Sequence, residues 1–252
     1  MLYTVLTLFP EISDAYFSSS IMAKAVDRGL VGYRAINIRD YAFDKHRSCD
    51  DAPYGGGAGM LMLAEPLGRA LEAVGVQVNC EDKEKRVIYL SPSGKPLDQA
   101  LAGELAMEKE LVLLCGRYEG IDQRIIDVYV DDEVSVGDYV LSSGEVAALV
   151  LIDATYRLLE RVIKPTSLDE ESFDLGLLEY PQYTRPEIYA TLRVPEVLLS
   201  GHHKNIRRWR LQKRVEKTLA MRPDLIRLGE ESGLYDSETR KIIEDKRREN
   251  GV

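Results

Sequence analysis

The sequence lacks the features that mark membrane proteins, secreted proteins and zinc-knuckle proteins. No run of about 18 apolar residues occurs in it, which excludes a membrane-spanning helix. Its N-terminal segment has neither the basic start nor the small-residue cleavage site of a signal peptide. The cysteines, Cys49, Cys80 and Cys115, are far apart and odd in number, so they predict neither a disulfide framework nor a CxxC metal site. We therefore expect a cytoplasmic protein.

The charge of the chain is distributed unevenly. The 252 residues carry a net charge of −9, with 45% apolar and 30% charged residues, a composition typical of one or two folded domains. Residues 201–252 carry a net charge of +5, whereas residues 1–200 carry −14. Between Lys204 and Arg222, eight basic side chains accompany a single acid. This basic segment indicates either phosphate binding or a solvated helix face.

Strand-like and helix-like segments alternate in the first two-thirds of the sequence. Continuous apolar segments predict strands, and the segments between them have helical spacing. The alternation favours an α/β fold with a parallel sheet covered on both faces. The predicted strands are 2–9, 33–38, 87–90, 111–114 and 128–130 leading on to 134–136, and the predicted helices are 18–30, 64–74, 97–109 and 144–160.

The sequence changes character after residue 162. We predict a first domain over residues 1–162, a polar and acidic linker over 163–176, and a small helical domain over 177–252. Prolines stand at or near the starts of several short segments in this last part, which is typical of helix N-termini. The helices predicted there are 184–193, 195–201, 204–220 and 237–250.

Loops that contain glycine follow three of the predicted strands. They are YLSPSG (89–94), CGRYEG (115–120) and VGDYVLSSGE (136–145). In open α/β sheets, ligands bind at the carboxyl ends of the strands, where such loops expose backbone amides. The loops therefore either line a ligand pocket with main chain or simply mark turns.

The usual cofactor and metal motifs do not match this sequence. YGGGAGM (54–60) has no GxGxxG register and follows no predicted strand, so it does not indicate a dinucleotide site. Pro96 stands where a phosphate-binding loop would need Ser or Thr. The adjacent His202 and His203 would point in different directions on a helix, and no metal site is predicted.

The basic segment predicts a helix with two different faces. The basic face holds Arg207, Arg210, Arg214 and Lys217, and the apolar face holds Leu211, Val215 and Leu219. We expect the apolar face to pack and the basic face to meet phosphate groups. Trp209 would either stack on a base or pack in the core.

Six motifs in one order closely resemble those of bacterial tRNA (guanine-N1)-methyltransferases. They are YGGGAGM (54–60), LSPSG (90–94), LCGRYEGIDQR (114–124), SVGDYVLSSGE (135–145), GLLEYPQYTRP (176–186) and GHHKNIRRWR (201–210). The resemblance implies a SPOUT methyltransferase whose sheet carries a trefoil knot, an exception to the rule that folds are unknotted. It also implies a homodimer with an active site completed by the partner subunit. The implied reaction transfers a methyl group from S-adenosylmethionine to N1 of guanosine 37 of tRNA.

The resemblance implies residues for the cofactor and for the RNA. Cofactor binding would fall to Tyr89, Leu90, Ser91, Pro92, Gly116, Tyr118, Glu119, Val136, Gly137, Asp138, Tyr139, Val140, Leu141 and Gly144. The basic helix would contact tRNA through Lys204, Arg207, Arg208 and Lys213. The family is associated with Mg²⁺ dependence, but no cluster in this sequence identifies a magnesium site.

Guanine N1 carries a proton at neutral pH, so its methylation requires a base, and a cation would stabilise the charge that moves to O6. By resemblance, Arg157 is the cation and Glu171 is the base. The family has aspartate at the latter position, and the extra methylene of glutamate changes its reach by roughly 1.5 Å. Asp169 and Asp174 are therefore alternatives. Ser143 is a second departure, because the family usually has glycine there.

Two other functions stay open at this point. A knotted methyltransferase could act on a ribose 2′-hydroxyl, but the linker motif would then be unexplained. A protein that binds RNA without catalysis is the alternative from another class, which the departure at Glu171 makes conceivable.

Overall fold

The computed structural model describes residues 1–78, 84–163 and 171–250. It divides the chain into two compact units, Met1–Ile163 and Lys164–Val252. Cys80, Asp169 and half of the predicted linker lie outside the described residues.

The first unit alternates strands and helices. Its strands are β1 (Leu2–Thr7), β2 (Gly32–Asn37), β3 (Asp50–Asp51), β4 (Leu61–Met62), β5 (Arg86–Pro96), β6 (Glu110–Cys115) and β7 (Asp132–Ser135). Its helices are α1 (Pro10–Phe17), α2 (Ser20–Asp27), α3 (Ala64–Ala73), α4 (Gln99–Leu105), α5 (Gln123–Tyr129) and α6 (Gly144–Tyr156).

Five strands form a parallel sheet in the order β2-β1-β6-β5-β7. The central strand β6 is buried along its whole length, which explains why its sequence is continuously apolar rather than alternating. Helices cover both faces, as the sequence predicts. Helices α1, α2, α4 and α6 pack around Phe17 and Leu151 on one face, and α3 and α5 pack around Leu71 and Ile125 on the other.

Strand β5 makes an excursion before it returns to the sheet. Leu90 and Lys95 both pair with Val134 of β7, so the residues between them leave the ladder as a loop at the carboxyl end of the sheet. A Cβ on Gly94 would lie 2.4 Å from the main chain of β7, so only glycine allows the chain to return this closely. The sequence places this loop correctly but does not reveal the return.

Three predictions for the first unit need correction. Residues 128–130 were expected to be a strand, but they end helix α5, whose start is capped by the side chain of Asp122. The strand predicted over 2–9 ends at Thr7, and Pro10 begins helix α1, since proline suits the first helical turn. Helix α6 ends at Tyr156 rather than at residue 160.

The second unit is mainly helical. Its helices are α7 (Glu196–Leu199), α8 (His203–Met221), α9 (Pro223–Glu231) and α10 (Ser237–Asn250), and a short hairpin is formed by β8 (Ile188–Tyr189) and β9 (Leu192–Arg193). A small core around Leu177, Val215, Ile226 and Ile243 holds helices α8, α9 and α10 together.

The prediction of a helix over 184–193 is wrong, because these residues form the β8–β9 hairpin. Ala190 and Thr191 connect the strands, and both have positive φ, 46° and 75°. A two-residue hairpin turn with both central residues in this region matches the twist of the strands. Neither residue is glycine or asparagine, so the sequence carried no turn signal.

Among the residues that the structure describes, none of the helices is long and apolar enough to cross a membrane.

Candidate functional site

A cavity of about 310 Å³ opens at the carboxyl ends of β5, β6 and β7. It lies where open α/β sheets bind ligands, and its volume falls within the usual range for small-molecule pockets. Its lining comes from the three glycine-containing loops together with the start of α6. The lining residues are Tyr89 to Ser93, Gly116 to Gly120, Val134 to Gly137, Tyr139 to Gly144, and Ala147.

The cavity brings together thirteen of the fourteen residues expected to bind a cofactor. Asp138 is the exception: its side chain is exposed and it is not part of the lining. Ser143, the departure from the family pattern, is buried and stands directly before helix α6. Its backbone is extended there, with φ of −161°, so a serine fits without strain.

Close backbone approach shapes the cavity. The N–H of Gly144 donates to the carbonyl oxygen of Gly116 at 2.9 Å, which joins the second loop to the third. A Cβ on Gly144 would lie 2.6 Å from the backbone nitrogen of Gly116. The glycine therefore preserves a main-chain wall of the kind expected for a small ligand that hydrogen-bonds to backbone amides and carbonyls. The volume of the cavity is large enough for a small ligand of this kind.

Two tyrosines at the cavity remain neutral near pH 7. Burial raises the pKa of the Tyr89 phenol, and the nearby Glu133 carboxylate acts in the same direction. Desolvation also raises the pKa of Tyr118, whose hydroxyl donates to Asp50 Oδ1 at 2.9 Å. The Tyr89 hydroxyl can therefore donate a hydrogen bond to a ligand without adding charge, whereas the single hydroxyl proton of Tyr118 is already donated to Asp50.

Sequence reasoning missed several residues of the site. Arg117 and Gly120 line the cavity, and both lie inside a motif already quoted, between residues expected to bind. Glu145 also belongs to a quoted motif, and its side chain is completely buried behind the lining. Its position directly after the glycine of the third loop was the available signal.

Arg157 lies directly after helix α6, where it is half-buried. Two hydrogen bonds anchor the last turns of this helix to neighbouring elements. The Tyr3 and Thr155 hydroxyls lie 2.8 Å apart, and the Tyr16 hydroxyl donates to Asp153. The backbone that carries the guanidinium is therefore fixed within the first unit.

Glu171 lies in the second unit and is half-buried. The segment that follows it forms a tight turn over Asp174–Gly176, with Phe173 and Leu175 at positive φ of 76° and 50°. Such conformations cost about 1–3 kcal/mol each and persist only where the surroundings hold them.

Arg214 holds this turn, which corrects its expected place on the phosphate-facing side of the basic helix. Its guanidinium is buried and donates to the carbonyl oxygen of Asp174 at 2.7 Å. Weaker bonds at 3.4 Å reach the carbonyls of Glu171 and Leu178. The helix turns this residue inward because it lies beside the apolar Val215 on the packed face.

The same contacts bear on the choice of base. The Asp174 carboxylate lies 3.3 Å from Arg214, so it already has a structural partner. The main-chain carbonyl of Glu171 also accepts a hydrogen bond of 3.4 Å from Arg214. Asp169 lies outside the described residues.

The expected tRNA contacts lie on helix α8 but differ in exposure. Lys204, Arg207 and Arg208 are exposed, near the N-terminal end of the helix. Lys213 is half-buried and pairs with Glu216 at 2.8 Å. His202 stands at the N-cap without a side-chain capping bond.

Aromatic residues accumulate beside the start of this helix. Trp209 is half-buried, and its ring lies 6.4 Å from that of Tyr183. The Arg210 guanidinium stands over the Tyr180 ring at 4.7 Å. Trp209 therefore packs within the second unit and still exposes part of its surface.

Over residues 1–78, 84–163 and 171–250, no group of three or more His, Cys, Asp or Glu side chains could hold a metal ion.

Comparison with known proteins gives consistent matches over most of the chain. The family model described as tRNA (Guanine-1)-methyltransferase TrmD matches residues 1–228. A tRNA (guanine-N(1)-)-methyltransferase of Treponema denticola is 62% identical over 245 residues, which cover 97% of this chain and 98% of that protein. The protein of the same name from Treponema pallidum is 56% identical over 241 residues, covering 96% and 94%. That of Borreliella burgdorferi is 56% identical over 240 residues, covering 92% and 98%.

Proposed function

The chain belongs to the tRNA (guanine-1)-methyltransferase family, and from this premise we propose that it methylates N1 of guanosine 37 in tRNA with S-adenosylmethionine as the donor. The observation that carries this proposal is the cavity that three glycine-containing loops form at the ends of β5, β6 and β7. A cavity of this kind suits a nucleoside-containing donor, since an adenine ring can be recognised by backbone amides and carbonyls. The protein is then a transferase that acts in tRNA processing.

The residues that would hold the donor are the thirteen predicted ones that line the cavity. S-adenosylmethionine, when bound, supplies a methyl group on a positively charged sulfur. The neutral phenol of Tyr89 can donate a hydrogen bond there, and Gly116 and Gly144 keep the wall open. We propose that this part of the sheet forms the family's trefoil knot, which the bond between Gly144 and Gly116 would support.

Proton removal and charge stabilisation are assigned to two different residues. The Glu171 carboxylate would take the proton from guanine N1, which frees the nitrogen lone pair. The Arg157 guanidinium would face the O6 oxygen and stabilise the negative charge that develops on it. The anchored end of α6 suits Arg157 to this task, because a charge held in place needs no reorganisation during the reaction.

Glu171 is preferred over Asp174 as the base. The Asp174 carboxylate lies 3.3 Å from the Arg214 guanidinium that clamps the turn, so Asp174 already has a structural role there. Asp169 stays an alternative on the basis of the sequence. The position of Glu171 next to a turn clamped by Arg214 favours a fixed carboxylate despite its longer side chain.

We propose that the enzyme is a homodimer whose active site is shared between subunits. Helix α6 is apolar on most of its surface, and Val146 and Val150 on its outward side are 46% and 43% exposed. Ile21 of α2 is also 48% exposed. A helix that is apolar on every side is normally covered, and a second copy of the chain would cover this one.

The remaining assignments concern the second unit and the cell. We propose that residues 177–252 bind tRNA through Lys204, Arg207, Arg208 and Lys213, and that residues 163–176 connect the two domains. Mg²⁺ would participate at a site that no cluster of described residues identifies. We expect the enzyme to act in the cytoplasm, where tRNA is available.

The proposal is tested with purified protein, labelled S-adenosylmethionine and two tRNA transcripts that carry guanosine or adenosine at position 37. Methylation of the guanosine transcript alone, followed by recovery of 1-methylguanosine after nuclease digestion, is the expected result. A ribose-methylated nucleoside would replace this function by 2′-hydroxyl methylation. RNA binding without methyl transfer would indicate a protein that has lost catalysis.

A further inference from the structure

A buried carboxylate stands directly behind the cavity lining. Glu145 is the second residue of α6, and its side chain has no exposed surface. Its Oε1 accepts a hydrogen bond of 2.6 Å from the Thr7 hydroxyl at the end of β1. Its Oε2 lies 3.2 Å from Nε of Arg117, which belongs to the second loop.

Glu145 therefore connects three elements that meet at the cavity. Thr7 ends the strand next to β6, and Arg117 lies between two residues expected to bind the donor. The Arg117 guanidinium also stands over the Phe9 ring at 4.4 Å. Because Gly144 and Ala147 on either side of Glu145 line the cavity, a shift of this carboxylate would move the wall.

The pair between Glu145 and Arg117 is close but incompletely bonded. Neither Glu145 Oε2 nor Arg117 Nε has a hydrogen-bond partner among the described residues, although the two atoms are within ion-pair distance. Buried polar atoms that lack such a bond are costly. A buried ion pair is also a poor source of stability, since an apolar pair of similar volume often serves as well.

The charge of Glu145 acts on the surrounding core. Burial raises the pKa of the Cys115 thiol well above its usual range, and the Glu145 carboxylate adds to the rise. Cys115 directly precedes the second loop. The charge of Glu145 is therefore close enough to act on groups at the end of β6, where the second loop begins.

We propose that Glu145 is a positioning residue that holds the second and third loops in the arrangement that binds S-adenosylmethionine. It acts through Arg117 and through the first turn of α6, and it does not touch the donor. This role rests on the proposed function, because it presupposes that the cavity holds S-adenosylmethionine. Helix α6 also favours a carboxylate in its first turn, where the helix dipole is positive.

A second buried carboxylate provides a matched control. Glu110 accepts a 2.6 Å hydrogen bond from Thr4, another buried threonine of β1, and a 2.7 Å bond from Arg34. It begins β6, so it lies at the end of the sheet opposite to the cavity. Both carboxylates accept a bond from a threonine and pair with an arginine, and Glu110 also lies 3.2 Å from Lys85 Nζ. Only Glu145 adjoins the cavity.

The test compares Glu145→Gln with Glu110→Gln. The amide keeps the shape and the bond from threonine but removes the charge. By calorimetric titration with S-adenosylmethionine, we expect Glu145→Gln to raise Kd about tenfold or more, because Arg117 loses its partner beside the site. Glu110→Gln should leave Kd within about twofold of the wild-type value. It should lower the melting temperature by about as much as Glu145→Gln does. At saturating donor, kcat of Glu145→Gln should recover to within about threefold of wild type.

A double variant tests whether the pair acts as a unit. Glu145→Gln combined with Arg117→Gln should bind no more weakly than the weaker single variant, because contacting residues are not additive. If Glu145→Gln does not fold, Thr7→Val against Thr4→Val provides the same comparison. There we expect Thr7→Val to raise Kd about threefold, with no change for Thr4→Val.

Three results would overturn the role. Wild-type affinity in the Glu145→Gln variant, or in Thr7→Val when that pair is used, would show that the loops do not need this carboxylate. Equal weakening by Glu110→Gln would show a general loss of stability. If wild-type protein itself fails to bind S-adenosylmethionine, the proposed function fails, and this role fails with it.

Discussion

The two units of the chain use different means of recognition. The first unit presents a cavity formed by three glycine-containing loops, in which Tyr89 and Tyr118 are uncharged and Gly144 leaves space. The second unit presents charge, with Lys204, Arg207 and Arg208 exposed near the start of one helix. A small ligand that must be enclosed requires shape, whereas a long polyanion requires charge.

This difference predicts which kind of perturbation should weaken ligand binding by each unit. A single added methyl group can block a cavity at a point of close backbone approach, but it matters little on an exposed helix. Ionic strength weakens contacts with phosphates strongly and enclosed hydrogen bonds weakly. The proposed catalytic step is the exception to this division, because it uses Arg157 together with Glu171.

The largest effect is expected where the two units cooperate. Glu171→Gln and Arg157→Ala should each reduce kcat about a thousandfold, since one removes the proton acceptor and the other removes the charge at O6. Calorimetry should show unchanged donor affinity for both variants. Single-turnover methylation of a tRNA transcript measures the chemical step.

One pair of results would contradict the choice of Glu171 as the base. Full activity in Glu171→Gln combined with inactivity in Asp169→Asn would transfer the role to Asp169. The Asp174→Asn variant should keep most of its activity, because that carboxylate is already paired with Arg214.

The next largest effect separates shape from charge in the first unit. Gly144→Ala should raise the Kd for S-adenosylmethionine about a hundredfold, because its Cβ would lie 2.6 Å from the backbone of Gly116. Gly103→Ala is the control, since a Cβ there meets nothing within 4 Å inside helix α4. Equal donor affinity in the two variants would refute the main-chain wall.

The basic helix should respond to charge removal and not to a change in shape. Replacing Arg207, Arg208 and Lys213 together by alanine should weaken tRNA binding about tenfold. It should also reduce the slope of log affinity against log salt concentration by the equivalent of about two phosphate contacts. Lys213 should contribute least, because it is paired with Glu216. Filter binding between low and moderate salt measures the slope.

A matched loss of charge on the first unit serves as the control for this experiment. Lys24, Arg28 and Lys109 are exposed there, and their replacement by alanine should leave the slope nearly unchanged. If both triple variants flatten the slope alike, total charge, and not the basic helix, governs tRNA affinity.

The smallest effect concerns Glu110, at the end of the sheet opposite to the cavity. Burial alone would raise the pKa of Glu110, but the hydrogen bonds that it accepts outweigh burial and lower the pKa below its usual 4.5. Its contribution to stability is therefore present above that pH and is lost as pH falls through the lowered value. Glu110→Gln should lower Tm by a few degrees at neutral pH and by less in acid. Melting curves with an unchanged difference across this range would contradict it.

The sequence predicted the layered architecture because strands and helices differ strongly in apolar periodicity. The continuous strand Glu110–Cys115 and helix Gly144–Tyr156 are examples. It failed where local signals were ambiguous. The β-branched residues near Val128 favour strands, yet the cap at Asp122 and packing against α3 make them helical. The turn at Ala190 and Thr191 has no glycine to announce it.

The cavity could be predicted in outline because its loops follow strands directly, but its supporting contacts could not. Arg214 was expected to face phosphate, yet it points inward and clamps the turn after Glu171. The pairing of Glu145 with Arg117 and Thr7 joins residues far apart in the sequence. Such contacts depend on tertiary packing, which periodicity does not encode.

Mixing two inactive variants tests the cooperation between units most directly. At a donor concentration near the wild-type Kd, Gly144→Ala would bind almost no donor and Glu171→Gln lacks the base, so each homodimer should be nearly inactive. After exchange of subunits, a dimer with an active site shared between chains has one intact site, and random pairing should restore roughly one quarter of wild-type activity. If the mixture remains inactive although mixed dimers have formed, the cavity and the base do not meet across the dimer.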